Sequence, residues 1–206
     1  SSLNQAWVPW FFDKMQKNDR ESIRTVVPKY MAGFTVGCIG LMIIGPEMVL
    51  IFGGKDYLEA MYVIPPVCLA IEIQFVYTLY VNIEFFEKKT TYISLATAGA
   101  TVINIALNFY AIPRWGYIAA AYTTVIGYLF TFLFHYIVCK KIGYDNLFEK
   151  KNLLRNISIS IFAMVACLIL YRYTWIRRFV LIGILLIVFI YLIKNRNKII
   201  NYLSKR

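Results

Sequence analysis

Six long apolar runs alternate with short charged segments along the chain. They lie near residues 30–52, 61–86, 91–112, 116–138, 156–173 and 177–193. Because a bilayer has a hydrocarbon core about 30 Å thick and a helix rises about 1.5 Å per residue, about 20 apolar residues form one crossing. The composition agrees, since 60% of the residues are hydrophobic, only 16% are charged and the mean hydropathy is +0.60. The sequence therefore predicts an all-α, polytopic transmembrane helix bundle.

Charged segments divide the chain into four parts. Residues 1–12 resemble the end of a transmembrane helix that begins further upstream, so we expect the sequence to belong to a longer protein. Residues 13–138 hold four crossings, and residues 139–155 form a basic loop. Residues 156–206 hold two further helices and a basic tail. Because these last two helices are almost uniformly apolar, we expect them to lie at the lipid-facing periphery and to be dispensable for the packing of the others.

Two features mark the connection between the first two crossings. Asp56 and Glu59 have the spacing of a capping box, which predicts a helix that starts near the outer face. Pro65 and Pro66 follow within that helix, and proline removes a backbone donor and clashes with the preceding turn. The sequence therefore predicts a kink at this point inside the membrane.

Lysine and arginine are distributed unevenly between the two sides of the membrane. Of the 22 basic residues, all but five fall in loops on one side. The five on the other side are Lys55, Arg114, Arg172, Arg177 and Arg178. Because basic loops stay in the cytoplasm, Lys88, Lys141 and the C-terminus are predicted to be cytoplasmic. The net charge of +11 does not indicate a nucleic-acid partner, because the basic residues form no continuous stripe.

A polar stripe runs along the whole third crossing, at spacings of three and four residues. It consists of Thr90, Ser94, Thr97, Thr101, Asn104 and Asn108. At 1.5 Å per residue the stripe covers about 27 Å of helix, so it cannot comfortably face lipid. The fourth crossing has a matching row of small residues, namely Gly116, Ala120, Thr124, Gly127 and Thr131, which ends at His135. The two stripes are typical either of close helix packing or of a water-filled pathway, and the sequence leaves both open.

Ionisable side chains within the apolar runs are few. Glu72 is the most exceptional because it lies near mid-membrane, where a carboxylate is costly and usually functional; a protonated glutamate bonded within a core is the alternative. Glu84 and Asn82 lie nearer the cytoplasmic end and favour an ordinary interfacial placement. His135 is the one histidine and favours a structural role.

Several kinds of catalytic or binding chemistry have no sequence signature here. The chain has no clustered carboxylates, no metal-ligand spacing and no P-loop, and its four cysteines stand singly in apolar stretches. We therefore expect no enzyme activity, no metal and no cofactor, and transport becomes the leading class of function.

Four stretches resemble the polysaccharide-biosynthesis flippases, the Wzx-type O-antigen and capsule exporters of the multidrug/oligosaccharidyl-lipid/polysaccharide superfamily. They are NQAWVPWFF before a basic loop, GPEMVLIFGGKDYLEAMYVIP across the outer turn, the KKT loop, and INIALNFYAIPRWGYIAAAYTTVIGY. The N..LN...IP..G..AA..T pattern is the most specific, and the resemblance spans about residues 3–142. The double proline at 65 and 66 departs from the single proline expected there.

The resemblance implies a MATE-like transporter with two pseudo-symmetric lobes around a central cavity. This chain would supply the second lobe plus two C-terminal helices, and its partners would include the missing N-terminal lobe and membrane lipids. The implied activity moves an undecaprenyl-diphosphate-linked oligosaccharide across a bacterial or archaeal cytoplasmic membrane, coupled to an ion such as H⁺ or Na⁺. The implied pathway residues are Glu72, Thr97, Thr101, Asn104 and Asn108, with Arg24, Lys29 and Lys88 near a cytoplasmic entrance for the diphosphate.

Two alternatives stay open at the level of sequence. A multidrug exporter or a lipid II flippase of the same superfamily would share the two lobes but not the substrate. A membrane-embedded sugar polymerase or acyltransferase would need catalytic groups that the sequence does not reveal.

Overall fold

A computed structural model describes residues 2–173 together with residues 175, 176, 179 and 183, and this part of the chain is helical without any strand. A 3₁₀ helix spans Lys55–Val63. The α-helices are α1 (Ser2–Gln16), α2 (Arg20–Gly53), α3 (Ile64–Phe86), α4 (Thr90–Trp115), α5 (Ala119–Lys141) and α6 (Lys150–Leu170). Five helical segments are long and apolar enough to cross a membrane, namely α2, the 3₁₀ helix with α3, α4, α5 and α6. The chain is thus a multi-pass membrane protein. The predicted crossing at 177–193 lies outside the described residues.

Helix α2 is longer than the crossing that the sequence predicts at 30–52. It begins at Arg20 because Asp19 caps it, accepting hydrogen bonds from the backbone N–H and the hydroxyl of Ser22 at 3.1 and 2.7 Å. It ends at Gly53, before Gly54 with a φ of 79°. Its 34 residues extend about 51 Å, so the basic N-terminal turns lie beyond the hydrocarbon core.

The connection between α2 and α3 differs from both sequence expectations. The segment after Gly54 is a 3₁₀ helix, and no side chain caps it by a hydrogen bond, so the predicted capping box of Asp56 and Glu59 is not formed. Pro65 and Pro66 lie in the first turn of α3 rather than within it. They therefore start the α-helix instead of kinking it, because the first turn needs no backbone donors from those positions.

Helix α3 is central in the bundle. It packs against α5 most extensively, and also against α2 and α6, while α4 packs chiefly on α5. An apolar cluster that includes Phe11, Ile23, Ile83 and Phe148 closes one end, and a smaller cluster around Met42 and Cys167 joins α2, α3 and α6 near the other. The polar residues of α3 are therefore held between two separate helix interfaces.

The contacts of α6 correct the expectation of a helix without a polar face. Asn156, Ser160, Cys167 and Tyr171 are all buried, at helical spacing, against α2 and α3. The Ser160 hydroxyl donates to Glu72 of α3, and the Tyr171 hydroxyl donates to the carbonyl of Met42 in α2. The expectation of no polar seam was wrong because a few small polar residues, spread among large apolar ones, are enough to form one. The large apolar side chains on the other side of α6, such as Phe162, remain exposed.

Three connections lie together at one end of the bundle. The predicted loop at 139–155 shortens to residues 142–149, because α5 continues to Lys141 and α6 begins at Lys150. In this loop the Tyr144 hydroxyl donates to Glu87 in the α3–α4 turn at 2.5 Å. The carbonyl of Asn146 accepts from Arg24 near the start of α2. These connections therefore lie on the same side of the bundle, as the charge pattern predicts for them.

Candidate functional site

A polar groove with a volume of about 560 Å³ lies between α3, α4 and α5. Its polar lining combines both stripes that the sequence identifies with residues of α3. The lining residues with a polar side chain are Tyr77, Thr97, Thr101, Asn104, Thr124, Tyr128, Thr131 and His135. Their hydroxyl, amide and imidazole groups offer many hydrogen-bonding positions in a membrane segment that is otherwise apolar. Among the described residues that line the groove, there is no lysine or arginine.

The polar stripe of α4 divides into an open part and a packed part. The Thr97 and Thr101 side chains are exposed, and their hydroxyls donate to carbonyls of their own helix at 2.9 and 2.8 Å. Asn104 lines the groove but is half-buried, and it accepts a hydrogen bond from the Asn108 amide at 2.8 Å. Asn108 in turn accepts from the Thr123 hydroxyl of α5 at 2.5 Å. Asn108 therefore helps to join α4 to α5.

A buried histidine and a buried glutamate meet at one end of this groove. His135 of α5 and Glu84 of α3 are 1% and 0% exposed, and the imidazole Nδ1 lies 2.7 Å from the Oε1 of Glu84. The Tyr77 ring stacks on the imidazole at 5.9 Å between ring centres. The sequence predicts an interfacial Glu84 and a structural His135, and no sequence pattern places the two together. The available signal was that both residues lie at a similar distance from the helix ends that the charge pattern predicts to be cytoplasmic.

The two oxygens of the Glu84 carboxylate differ in their surroundings. Oε1 contacts the imidazole, but Oε2 is buried and has no hydrogen-bond partner among the described residues. A buried carboxylate oxygen without a donor is costly, so it needs an explanation. The pair therefore stands out from the ordinary packing contacts of the bundle.

Glu72 has a different environment from Glu84. Its Oε1 accepts from the Thr35 hydroxyl of α2 at 2.7 Å, and its Oε2 accepts from the Ser160 hydroxyl of α6. The side chain is 1% exposed and is absent from the lining of the polar groove. This arrangement connects α2, α3 and α6 by a polar contact in their common interface. Glu72 thus lies in the interior, on a different interface of α3 from the groove.

The three predicted basic residues do not converge on the polar groove. The Arg24 guanidinium donates to the Asn146 carbonyl through Nε at 3.1 Å and Nη2 at 2.6 Å. Lys29 is exposed at one end of a separate, apolar groove of about 670 Å³ between α2 and α3. Lys88 is exposed in the α3–α4 turn. All three therefore lie at or near the end of the bundle that holds the basic turns, which we call the basic end.

Two ionisable groups in turns at this end have perturbed proton affinities. A hydrogen bond from Lys14, followed by those from Ser22, lowers the pKa of Asp19 to about 2. Burial, followed by the hydrogen bond to Glu87, raises the pKa of Tyr144 to about 12. Both side chains stabilise the turns they connect. In the described residues no group of three or more histidine, cysteine or acidic side chains could hold a metal ion.

No protein-family model, curated protein or solved structure matches this chain. The polar groove and the two buried glutamates are thus the main observations from which a function can be inferred.

Proposed function

We propose that this chain is part of a membrane transporter that moves undecaprenyl-diphosphate-linked oligosaccharides across a cytoplasmic membrane. The observation that carries the proposal is the polar groove between α3, α4 and α5. A groove lined by hydroxyl and amide groups along a membrane-spanning helix is unfavourable against lipid, so a polar cargo, water or another part of the protein should occupy it.

The chemistry of the lining supports a sugar as the cargo. Sugar hydroxyls both donate and accept hydrogen bonds, and so do the side chains of Thr97, Thr101 and Asn104. The absence of lysine and arginine from this lining suits a neutral polar chain better than an anion. The diphosphate would remain near the basic end, where Arg24 and Lys88 lie.

The exposure of the α4 stripe supports a second lobe as a partner. Thr97 and Thr101 face no neighbour within the described residues that would shield them from lipid. A missing N-terminal lobe would cover this side and turn the groove into part of a closed cavity. The two-lobe, MATE-like arrangement is part of the proposal.

Bulky substitutions in the groove test the transport pathway in the full-length protein. We expect Thr97→Trp and Thr101→Trp to lower cell-surface glycan at an unchanged level of folded protein, because the indole fills the groove. Ala98→Trp is the matched control, since Ala98 is exposed on the same helix but lies outside the lining. Equal glycan in all three variants would contradict a pathway through this groove.

An enzyme is the alternative that a specific observation favours. A carboxylate that contacts Nδ1 of an imidazole can hold the ring in the orientation of a general base. The Glu84–His135 pair could therefore serve acyl or sugar transfer. Purified protein in liposomes with a labelled lipid-linked oligosaccharide separates the two. A transporter changes the leaflet of the lipid and leaves its mass unchanged, whereas a transferase or polymerase changes the mass. Drug export by the same liposomes would instead favour a multidrug exporter.

A further inference from the structure

We propose that Glu84 and His135 form a proton-binding site that is reached from the polar groove and couples transport to proton movement. This inference rests on the proposed transport function. It identifies the coupling ion as H⁺ and assigns it to a pair of residues that sequence analysis regarded as interfacial and structural.

The two buried glutamates of α3 differ in their hydrogen bonds. Both oxygens of Glu72 accept hydrogen bonds from neighbouring helices, as expected of a carboxylate with a structural role. Glu84 has one oxygen on His135 and one buried oxygen without a partner in the described part of the chain. A purely structural pair would be expected to satisfy both oxygens, because the unpartnered one reduces stability. Ionisable groups kept in a membrane at such a cost usually have a function.

The polar groove adjoins the pair on the side of the histidine. His135 belongs to the groove lining, one helical turn from Thr131, whereas Glu84 is absent from that lining and contacts Nδ1 of the imidazole. The groove therefore extends to the residue that carries the imidazole but not to the carboxylate. The imidazole then stands between the groove and Glu84, as a proton relay requires.

The other ionisable groups around the pair are weak acids. From α3, the Tyr77 ring stacks on the imidazole, and the Tyr80 carbonyl accepts a hydrogen bond from the Cys139 thiol of α5. Cys139 is also close enough to Glu84 to interact electrostatically, and Tyr128 of α5 contacts Tyr77. Every residue that helix α4 contributes to the groove lining is uncharged. The charge at this position therefore depends on the protonation of the Glu84–His135 pair itself.

Proton binding changes the net charge of the pair by one. With a neutral imidazole and an ionised carboxylate the pair carries one negative charge. A hydronium ion from the groove gives its proton to the pair and leaves as water, so the pair becomes neutral as imidazolium with carboxylate or as imidazole with carboxylic acid. Because an uncompensated charge is unfavourable in a low-dielectric interior, the deprotonated pair favours a hydrated groove and the protonated pair a dry one. Since α3 and α5 form the most extensive interface of the bundle, a change there can bias its conformation.

A metal cation fits the same place less well. Sodium and calcium need several oxygen ligands around one point. No cluster of three acidic, histidine or cysteine side chains exists within the described ranges, and Glu84 supplies a single free oxygen. The described residues thus favour H⁺ over Na⁺, and the experiment includes a sodium gradient as the alternative driving force.

The test has one readout for the site and another for transport, both on the full-length protein. Nitrogen NMR of labelled histidine follows protonation of the imidazole, with the His135 signal identified by its loss in His135→Gln. We expect the signal to report both protonated and neutral imidazole as the pH is changed, and the response to pH to differ in Glu84→Gln. A signal that does not respond to pH, or the same response in folded Glu84→Gln, would overturn the proton site.

In liposomes, we expect an imposed pH gradient to stimulate movement of the lipid-linked oligosaccharide. Glu84→Gln and His135→Gln should lose this stimulation, and Glu72→Gln should keep it as the matched control. If Glu84→Gln does not fold, His135→Gln carries the same expectation. Stimulation by a sodium gradient alone, or a full pH response in both variants, would overturn the coupling role. A titrating His135 in a protein that moves no lipid-linked oligosaccharide would retain the site and reject the proposed function.

Discussion

Replacement of Glu72 separates a structural role from a role in transport. Because both of its oxygens are bonded to α2 and α6 and it lies outside the polar groove, the contacts indicate that it braces three helices. We therefore expect Glu72→Ala to destabilise the folded protein and Glu72→Gln to be tolerated. The sequence alone, by contrast, favours a functional role for this carboxylate.

The magnitude follows from the two hydrogen bonds and the lost volume. Interhelical hydrogen bonds in membranes contribute about 0.6 kcal/mol each on average, so the loss of both lowers the free energy of unfolding by about 1.2 kcal/mol. The cavity left by Glu72→Ala adds about 1 kcal/mol, for a total of about 2 kcal/mol. Gln fills the same volume, accepts one hydroxyl and donates to the other, so its cost stays below about 1 kcal/mol. Ser160→Ala leaves the buried Oε2 of Glu72 without its donor and should cost about 1–3 kcal/mol.

The four cysteines provide the assay. Cys38, Cys68, Cys139 and Cys167 are all free and buried, so a thiol-reactive fluorescent dye reports unfolding in detergent. Transport is measured on the same preparations and expressed per folded molecule. Equal destabilisation by Gln and Ala would refute the hydrogen-bond reasoning. Loss of transport in a normally stable Glu72→Gln would instead restore a coupling role for this carboxylate.

Three further predictions follow from particular contacts. Gly45→Ala should destabilise the protein by about 1–3 kcal/mol, because a Cβ there would lie 2.9 Å from the Tyr171 hydroxyl, whereas Gly33→Ala meets no atom within 4 Å and should be neutral or slightly stabilising. Truncation after Lys151 should reduce folded protein, because it removes α6 and the donor to Glu72. The stabilisation that Asp19 provides should be complete above about pH 4 and decrease as the pH falls towards its folded-state pKa of about 2, since the folded state favours the carboxylate.

Each of these has its own control and contrary result. The two glycine variants are compared with the thiol-reactive dye, and equal stabilities would contradict the predicted clash at Gly45. For the truncation, folded protein is measured by size-exclusion chromatography, and a normal yield would show that α6 is peripheral after all. For Asp19, the control is Asp19→Asn, which keeps the cap but removes the charge. The same acid dependence in both proteins would contradict the assigned pKa.

Sequence alone predicts the class of this protein and the faces of its helices. Hydrophobicity and length are local properties, so the crossings formed by α2 to α6 could be recognised from runs of apolar residues. Spacings of three and four likewise identified the stripe of α4 before any neighbour was known. Helix ends were less predictable, because the charged turns after Arg20 and after Lys150 continue as helix beyond the apolar core.

Only the tertiary structure decides which polar side chain meets which. Ser160 and Glu72 are 88 positions apart, and Glu84 and His135 are 51 positions apart, so no local pattern links them. Helical periodicity indicates the face on which a residue lies but not the helix that covers it. The packing of α3 between two interfaces therefore gives its two buried glutamates different surroundings. Glu72 is fully hydrogen-bonded, whereas Glu84 keeps a buried oxygen without a described partner, behind the histidine that lines the groove.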